Sequence, residues 1–203
     1  MVPERRITRW VTICVFLVAG GISYSRSQVI APSAGVPYYP LAKGNSWKYE
    51  VHNSGKSKNS TVEWRVTGSD KTKEGIVFQV WPFPSQSDDE AMSLLISNQG
   101  VVETSRNTLI LKYPATAGDS WATNKPTHRV FRVISAGHPC HVGVIESDDC
   151  LVVEDQDDAL KFRTVTTYAK GIGPVLYVYY KKDTTSGTRM QTVELISYYV
   201  DSK

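Results

Sequence analysis

Residues 38–51 read "YYPLAKGNSWKYEV", and this stretch indicates the fold class more clearly than any other part of the chain. Its Pro holds the preceding residue extended, and Gly44 with Asn45 is typical turn chemistry because both residues tolerate positive φ. From Trp47 to Val51 apolar and polar residues alternate, which is the period of a half-buried strand. The stretch predicts an extended segment, a tight turn and a strand that places its first ring in the core.

The same pattern returns as "KYPATAGDSW" at residues 112–121. Six positions match at a constant separation of 74 residues: Tyr39 with Tyr113, Pro40 with Pro114, Gly44 with Gly118, Asn45 with Asp119, Ser46 with Ser120, and Trp47 with Trp121. Two further segments match in the same order: "WRV" at 64–66 with "FRV" at 131–133, and, more loosely, "NQGVV" at 98–102 with "GIGPV" at 171–175.

We interpret the two copies as an internal duplication. The predicted β domain, 38–203, would then hold two related β units, about 38–107 and 108–203. Trp47 and Trp121 are expected to be buried in equivalent positions, because aromatic residues at strand starts usually belong to the core. A pair of matched ligand-binding turns is the alternative interpretation.

Short strands account for the rest of the domain. "TVEWRVTG" at 61–68 alternates cleanly, and "TVELISYYV" at 192–200 is rich in β-branched and aromatic residues. The segment 91–97 could belong to a helix that begins at Ser87, but the turn signal that follows it favours a strand. Further strands are predicted at 108–113, 128–135, 141–147, 150–155, 160–168, 174–181 and 189–200. The fold class is therefore all-β, a mostly antiparallel, curved sheet that forms an incomplete barrel or a sandwich.

The N-terminus has the features of a secretory signal. Three arginines in "ERRITR" at 4–9 precede an apolar run of 13 residues at 10–22, and small polar residues follow. We predict a signal peptide at 1–27 and a linker at 28–37, which makes the protein secreted or periplasmic. The alternative is a leader that stays uncleaved and anchors the chain in the membrane through 10–22.

Charge and cysteine content change once this leader is removed. Taking the four arginines and one glutamate of 1–27 from 23 basic and 20 acidic residues leaves 19 of each sign. A neutral mature chain lacks the basic footprint of a nucleic-acid-binding protein. Two cysteines remain, Cys140 and Cys150, and outside the cytosol such a pair is expected to form a disulfide. Two free thiols are the alternative.

The first stretch, taken with "YAKGIGPVLYVYY" at 168–180, resembles uncharacterised bacterial secreted and envelope proteins of the form "YxPLxxGNxWxY" early and "YxxGxGxVxY" late. Those proteins resemble, more distantly, the curved antiparallel sheets of periplasmic lipoprotein carriers. The resemblance implies an envelope location, and it supplies no activity that could be transferred to this chain. This chain departs from the lipidated members because no Cys follows its apolar run.

Chemistry-bearing residues are few. His138, Cys140 and His141 are ligand types for zinc or copper, but a polar loop beside a disulfide is the favoured interpretation. The acidic run "EDQDD" at 154–158 could bind calcium, although solvated turns explain such runs more often. No nucleophile elbow is present. We therefore predict a non-catalytic protein without a cofactor.

Aromatic residues are the remaining candidates for binding: Trp81, Phe83, Tyr177, Tyr179 and Tyr198. Exposed, they would line an apolar groove; buried, they would belong to the core. The leading hypothesis is an envelope protein that binds a lipid-like or apolar ligand in the concavity of its sheet. The alternatives are a structural or protein-interaction module of the envelope that uses exposed strand edges, and an enzyme, in particular a metal-dependent one.

Overall fold

A computed structural model of the chain describes residues 37–83, 91–123, 129–157, 161–181 and 187–201. The predicted signal peptide lies outside the described residues, as does the predicted linker up to residue 36. The all-β prediction is confirmed, since twelve antiparallel strands form one curled, unclosed sheet. The strands are β1 (Ser46–Asn53), β2 (Ser60–Lys71), β3 (Ile76–Phe83), β4 (Met92–Ser97), β5 (Gly100–Glu103), β6 (Thr108–Lys112), β7 (Ser120–Ala122), β8 (Arg129–Val142), β9 (Ile145–Asp157), β10 (Phe162–Ala169), β11 (Gly173–Lys181) and β12 (Thr188–Tyr199).

The sheet consists of two six-strand meanders laid side by side. Its order is β6-β5-β4-β3-β2-β1-β12-β11-β10-β9-β8-β7, so the first meander runs outward from β1 and the second returns to it from β7. The two meanders join where β1 pairs with β12, while β6 and β7 form the two edges. The chain crosses from one edge to the other at 113–119, after β6. The boundary between the predicted half-units, at 107/108, lies before β6.

Apolar side chains fill the inner face of the curl. Trp47 and Tyr49 on β1 point to the same face as Leu195 on β12 and Val175 on β11, and all four are almost completely buried. The period-two pattern of the sequence produces this face, because alternate residues of a strand point to the same side. In the part of the chain that the structure describes, no helix is long and apolar enough to cross a membrane.

The segment 91–97 is a strand, as the turn signal after it indicated. β4 pairs with both β3 and β5, and Ser97 lies opposite Gly100 across a tight hairpin. Ser87, the alternative helix start, lies outside the described residues.

The prediction of separate strands at 128–135, 141–147 and 150–155 is wrong. One long strand, β8, runs through Pro139, and the hairpin turn is at 143–144. The register between β8 and β9 shifts on either side of His138. Such bulges leave a residue outside the regular ladder, which is where a strand tolerates a Pro that has no N–H to donate.

The predicted disulfide between Cys140 and Cys150 is confirmed, and it links β8 to β9. The two Cα atoms are 5.9 Å apart. Cys150 is buried at the sheet, while Cys140 is partly exposed near the end of the hairpin. The bridge therefore ties together the two longest strands close to their shared turn.

The first "G(N/D)SW" turn holds the start of β1 against β2. The Gly44 N–H donates to the Val66 carbonyl at 2.8 Å, and the Val66 N–H donates to the Asn45 carbonyl at 2.9 Å. The Asn45 N–H closes the turn by donating to the Ala42 carbonyl at 3.0 Å. Gly44 has a φ of 95°, a conformation that side-chain-bearing residues rarely adopt.

The second turn makes the same three bonds. The Gly118 N–H donates to the Val133 carbonyl at 2.9 Å, and the Val133 N–H donates to the Asp119 carbonyl at 2.8 Å. The Asp119 N–H donates to the Thr116 carbonyl at 2.9 Å, and the φ of Gly118 is 92°. The two sequence copies thus form the same local structure, each holding a strand start against its neighbour.

The two tryptophans differ in burial. Trp47 is only 2% exposed, whereas Trp121 is half-buried, contrary to the expectation of equal burial. The reason is position, since β1 is central and β7 is a three-residue edge strand. The Trp121 Nε1–H donates to the Leu109 carbonyl of β6 at 2.7 Å, and Lys112 lies 3.3 Å from Asp119. These side-chain contacts span the gap between the two edges.

Replacement of either turn glycine by Ala should lower the free energy of unfolding by about 1–2 kcal/mol, because Ala is strained at this φ. A Cβ at Gly44 or Gly118 would meet no atom within 4 Å, so the loss would come from the backbone alone. Gly68→Ala is the control, because Gly68 is equally unobstructed and its φ lies outside the left-handed region. Urea unfolding gives the free energy of unfolding of all three variants. A loss of stability at only one of the two turns would contradict the conclusion that the turns are structurally equivalent.

Removal of the disulfide by the double substitution Cys140→Ser and Cys150→Ser should cost about 2–3 kcal/mol, because the unfolded chain regains the entropy of the closed loop. The bridge spans a sequence separation of 10. Chemical reduction of the unsubstituted protein should produce the same loss in urea unfolding. Equal stability of the oxidised protein and the double variant would contradict the expected contribution.

Candidate functional site

The curl of the sheet forms a partly open cavity of about 410 Å³ on its inner face. Strands from both meanders line it, and three groups of lining side chains determine its chemistry. Half-buried apolar side chains from the first meander form what we call the apolar wall: Val51, Val62, Trp64, Met92 and Ile110. Polar side chains from the second meander form the polar wall: Arg129, Asp155, Thr164 and Thr166. Between the walls lies the tyrosine cluster: Tyr39, Tyr49, Tyr168, Tyr177 and Tyr179.

The apolar wall is unusual because its side chains lie on the inner face and yet keep part of their surface uncovered. Side chains beside them on the same face, such as Val80 and Leu94, are almost fully buried. An inner face that remains partly uncovered leaves apolar surface for a ligand to bury, and that burial is favourable at roughly 25 cal/mol per Å².

The tyrosine cluster is held by ring contacts and by one backbone carbonyl. The Tyr49 hydroxyl donates to the Pro174 carbonyl at 2.9 Å, and its ring packs edge-on against Tyr177 at 5.8 Å. The rings of Tyr177 and Tyr179 stack at 6.4 Å. Burial raises the pKa of Tyr39, Tyr49, Tyr168, Tyr177 and Tyr179 above the ordinary value. All five hydroxyls are therefore protonated at neutral pH and can both donate and accept.

The polar wall is centred on an ion pair between β8 and β9. The Arg129 Nε donates to Asp155 Oδ1 at 3.1 Å, and its Nη2 donates to Asp155 Oδ2, so the pair is bidentate. Only 22% of the Arg129 side chain and 12% of the Asp155 side chain are exposed. The guanidinium also lies over the Phe131 ring at 5.3 Å, and that ring stacks on Trp121.

Burial and pairing act against each other in this ion pair. Burial raises the pKa of Asp155 overall, although the hydrogen bond and charge of Arg129 lower it. Burial opposes the charge on Arg129 most strongly, but the hydrogen bond and charge of Asp155 together raise its pKa. Arg129 remains charged, and the pair as a whole adds no net charge to the cavity when both groups are ionised.

A second pair lies near the same side of the cavity. Arg106 Nη1 is 3.7 Å from Glu103 Oε2, and the Ser105 hydroxyl donates to Glu103 Oε1 at 2.6 Å. The Glu103 side chain is 10% exposed, while the Arg106 side chain is 67% exposed. This pair is therefore partly solvated, and it too brings opposite charges together.

The predicted aromatic candidates are separated by the structure. Tyr177 and Tyr179 line the cavity. Trp64 lines the cavity, so the next residue, Arg65, points to the outer face. Trp81 lies opposite Arg65 and therefore also belongs to the outer face. Tyr198 is 46% exposed and lies outside the cavity, and the side chain of Phe83 lies outside the described residues. Ligand binding by Tyr177 and Tyr179 stays a prediction.

The weak metal candidates His138 and His141 do not lie in a pocket. Both are exposed on β8, and His141 Nδ1 is 3.4 Å from Glu146 Oε1 across the end of the hairpin. Among the described residues, no group of three or more His, Cys, Asp or Glu side chains is placed to hold a metal ion. An enzyme hypothesis based on these histidines would need them at the cavity, and neither of them lines it.

Sequence reasoning missed the polar wall, although one signal for it existed. On β9 the inward residues Leu151 and Val153 are followed at the same period by Asp155. Continuing the alternation would have placed this carboxylate inside. The calcium hypothesis instead treats Asp155 as part of the acidic run 154–158. The first member of that run, Glu154, faces outward, and its Oε2 lies 3.4 Å from Arg163 Nη1. Carboxylates that point to opposite faces of a strand do not form a calcium loop.

Comparisons with known proteins add no function. No protein-family profile and no curated protein matches the chain. A protein of Bacteroides fragilis, inferred to be exported and described as having a YmcC-like fold, is 11% identical with a TM-score of 0.48, covering 79% of this chain and 98% of its own. An inferred lipoprotein of Parabacteroides distasonis is 10% identical with a TM-score of 0.40, covering 80% and 98%. Similarity at this level establishes no shared activity.

The buried tyrosines predict loss of stability in alkali. Their pKa values are raised in the folded protein, so the unfolded chain loses its protons first, near the ordinary value of 10.0. The stabilisation is complete below that pH and is lost as the pH rises through the folded values. Unfolding followed by circular dichroism should coincide with tyrosinate absorbance. Tyr168→Phe should make the decline less steep, and Tyr199→Phe, at an exposed position, should leave it unchanged. Equal effects of the two would contradict this origin.

Proposed function

We propose that this chain is an exported, non-catalytic β protein that binds a lipid-like ligand in the cavity of its curled sheet. The observation that carries the proposal is the apolar wall, five half-buried side chains that face a partly open cavity. The cavity volume of about 410 Å³ falls within the roughly 300–1,000 Å³ of sites that bind small molecules.

The short edges of the sheet favour a small apolar molecule over a protein partner. A protein segment that extends the sheet would need a long, uncovered strand edge. The two edges of the sheet are short, with five residues in β6 and three in β7, and the Trp121–Leu109 hydrogen bond lies between them. The alternative of an interaction module that uses strand edges therefore has less support than ligand binding in the cavity.

Export is supported by the sequence and is compatible with the disulfide. The basic segment and apolar run before residue 27 have the form of a signal peptide, and structural disulfides persist mainly outside the cytosol. The resemblance to bacterial envelope β proteins implies the same location. Cell fractionation with mass determination of the mature N-terminus tests this part. A full-length protein in the cytosol would contradict it.

We also propose that the two meanders arose by internal duplication. The identical bonding of the Gly44 and Gly118 turns supports this origin, as does the matching order of six strands in each meander. Gly100 and Gly173 give further support, because each begins the fifth strand of its meander.

Ligand binding can be tested with N-phenylnaphthylamine, an uncharged probe whose fluorescence rises in apolar surroundings. Val62→Trp places a larger ring in the cavity and should weaken probe binding at least about tenfold, because the displaced volume is no longer available to a ligand. Val130→Trp is the matched control, since Val130 is 44% exposed and points away from the cavity. It should bind the probe like the unsubstituted protein.

Native mass spectrometry of protein isolated from its own host gives the second readout. A bound lipid-sized mass is expected, and Val62→Trp should lose it while remaining folded by circular dichroism. Failure of the unsubstituted protein to bind the probe, together with absence of any bound mass, would overturn the proposed function.

A further inference from the structure

We infer that the cavity selects an amphiphile with an uncharged, hydroxyl- or amide-bearing head group over one with a carboxylate, phosphate or ammonium head. This inference rests on the proposed function and adds the chemical class of the ligand. It follows from the position of the apolar wall on the first meander and of the polar wall on the second. Phe131, Val153 and Val193 of the second meander also line the cavity, as do Glu103 and Arg106 of the first.

The division gives the bound molecule an orientation. The apolar wall comes from β1, β2, β4 and β6, with Trp64 as its largest member, and the polar wall comes from β8, β9 and β10. A ligand that lies across the cavity would place its hydrocarbon part against the first meander and its head against the second. A purely apolar ligand would remove water from the polar side chains of the second wall without offering them a hydrogen bond, which is unfavourable.

Arg129 and Asp155 balance each other's charge at the polar wall, and the buried Asp157 lies close enough for its charge to act on both. Arg129 and Asp155 form a bidentate pair that is mostly buried, with Nε and Oδ1 3.1 Å apart. A ligand carboxylate that approached Arg129 would lie beside the Asp155 carboxylate, and an ammonium group that approached Asp155 would lie beside the guanidinium. Either ion would give up its hydration without gaining an unopposed counter-charge.

The other charged groups on this cavity repeat the balance. Glu103 is paired with Arg106 at 3.7 Å, and both line the cavity. The charged side chains that line it therefore amount to two of each sign, as the lining contains Glu103, Asp155, Arg106 and Arg129. The lining side chains thus carry no net charge among the described residues, and Asp157 beside the pair adds a carboxylate that opposes a bound anion.

The polar wall can recognise a head group by hydrogen bonding. Thr164 lies opposite Asp155 in the β9–β10 register, and Thr166 lies two residues further along the same face. Tyr179 is close enough to the ion pair for the charges of both Arg129 and Asp155 to affect its pKa, although burial is the larger influence. Hydroxyls of Thr and Tyr donate and accept, as do the alcohol and amide groups of a neutral head. A head group of that kind can be matched without any change in charge.

Competition against N-phenylnaphthylamine tests the inference with three ligands of one chain length: monododecanoylglycerol, dodecanoate and dodecyltrimethylammonium, each below its micelle concentration and at mildly alkaline pH. The neutral ligand is expected to compete at least about tenfold better than either ion. Competition by dodecanoate or the ammonium ligand that equals or exceeds that of the neutral ligand would overturn the inference.

The variant Asp155→Asn tests the physical cause. It removes the carboxylate that is hydrogen-bonded to Arg129, although the charges of Asp157 and Glu103 still act on the guanidinium. Dodecanoate affinity should therefore rise at least about tenfold, and the preference for the neutral head should shrink or reverse. Glu154→Gln is the matched control, because it removes the neighbouring carboxylate, which pairs with Arg163 on the outer face. It should leave the preference unchanged. An unchanged preference in a folded Asp155→Asn protein would overturn the inference.

The outcomes separate the two proposals. If the probe binds and monododecanoylglycerol fails to compete, the head-group inference is wrong while the cavity remains a ligand site. If the unsubstituted protein neither binds the probe nor carries a bound mass, the proposed function fails. Should Asp155→Asn not fold, the three-ligand comparison on the unsubstituted protein still decides the inference.

Discussion

Trp47 holds the seam at which the two meanders meet. Its ring is 2% exposed, its Nε1–H donates to the Ile172 carbonyl at 2.5 Å, and it packs edge-on against Tyr39. The turn before β11 approaches so closely that a Cβ on Gly173 would lie 3.0 Å from the indole nitrogen. Gly173 also has a φ of 110°, so glycine satisfies both the backbone and the contact. With the seam fixed, β1 can pair with β12, and the twelve strands form one sheet.

The contact between the two edge strands, β6 and β7, explains why the sheet has an interior cavity. Closure of a barrel requires a consistent tilt and stagger of every strand. β6 and β7 instead face one another across side-chain contacts, chiefly the hydrogen bond from Trp121 to the Leu109 carbonyl. The curl is therefore pronounced enough to form a partly open cavity, and the inner face keeps half-buried side chains such as Trp64 and Ile110. The β1–β12 pairing makes the sheet continuous, whereas the contact between β6 and β7 leaves it unclosed.

Local sequence signals predicted the elements well where the chemistry is local. The strands of "WKYEV" and "WRV", the glycine turns and the Cys140–Cys150 bridge follow from period, turn residues and cysteine parity. The errors have a common cause. The predicted break between the strands at 128–135 and 141–147 is absent, because a bulged register lets β8 continue through Pro139. Trp121 was expected in the core, but its strand lies at the edge of the sheet. Register and position in a sheet depend on partners that are distant in sequence.

The candidate site shows the same limit more sharply. The sequence by itself determined that this chain would form antiparallel strands with one apolar face, because alternation along a strand is a local property. Only the tertiary structure decided that this face curls inward around a space, and that Arg129 and Asp155, on different strands, meet within it. The physical reason is that the curl and the register between strands depend on which distant segments pair, and alternation within a single strand does not specify those pairings.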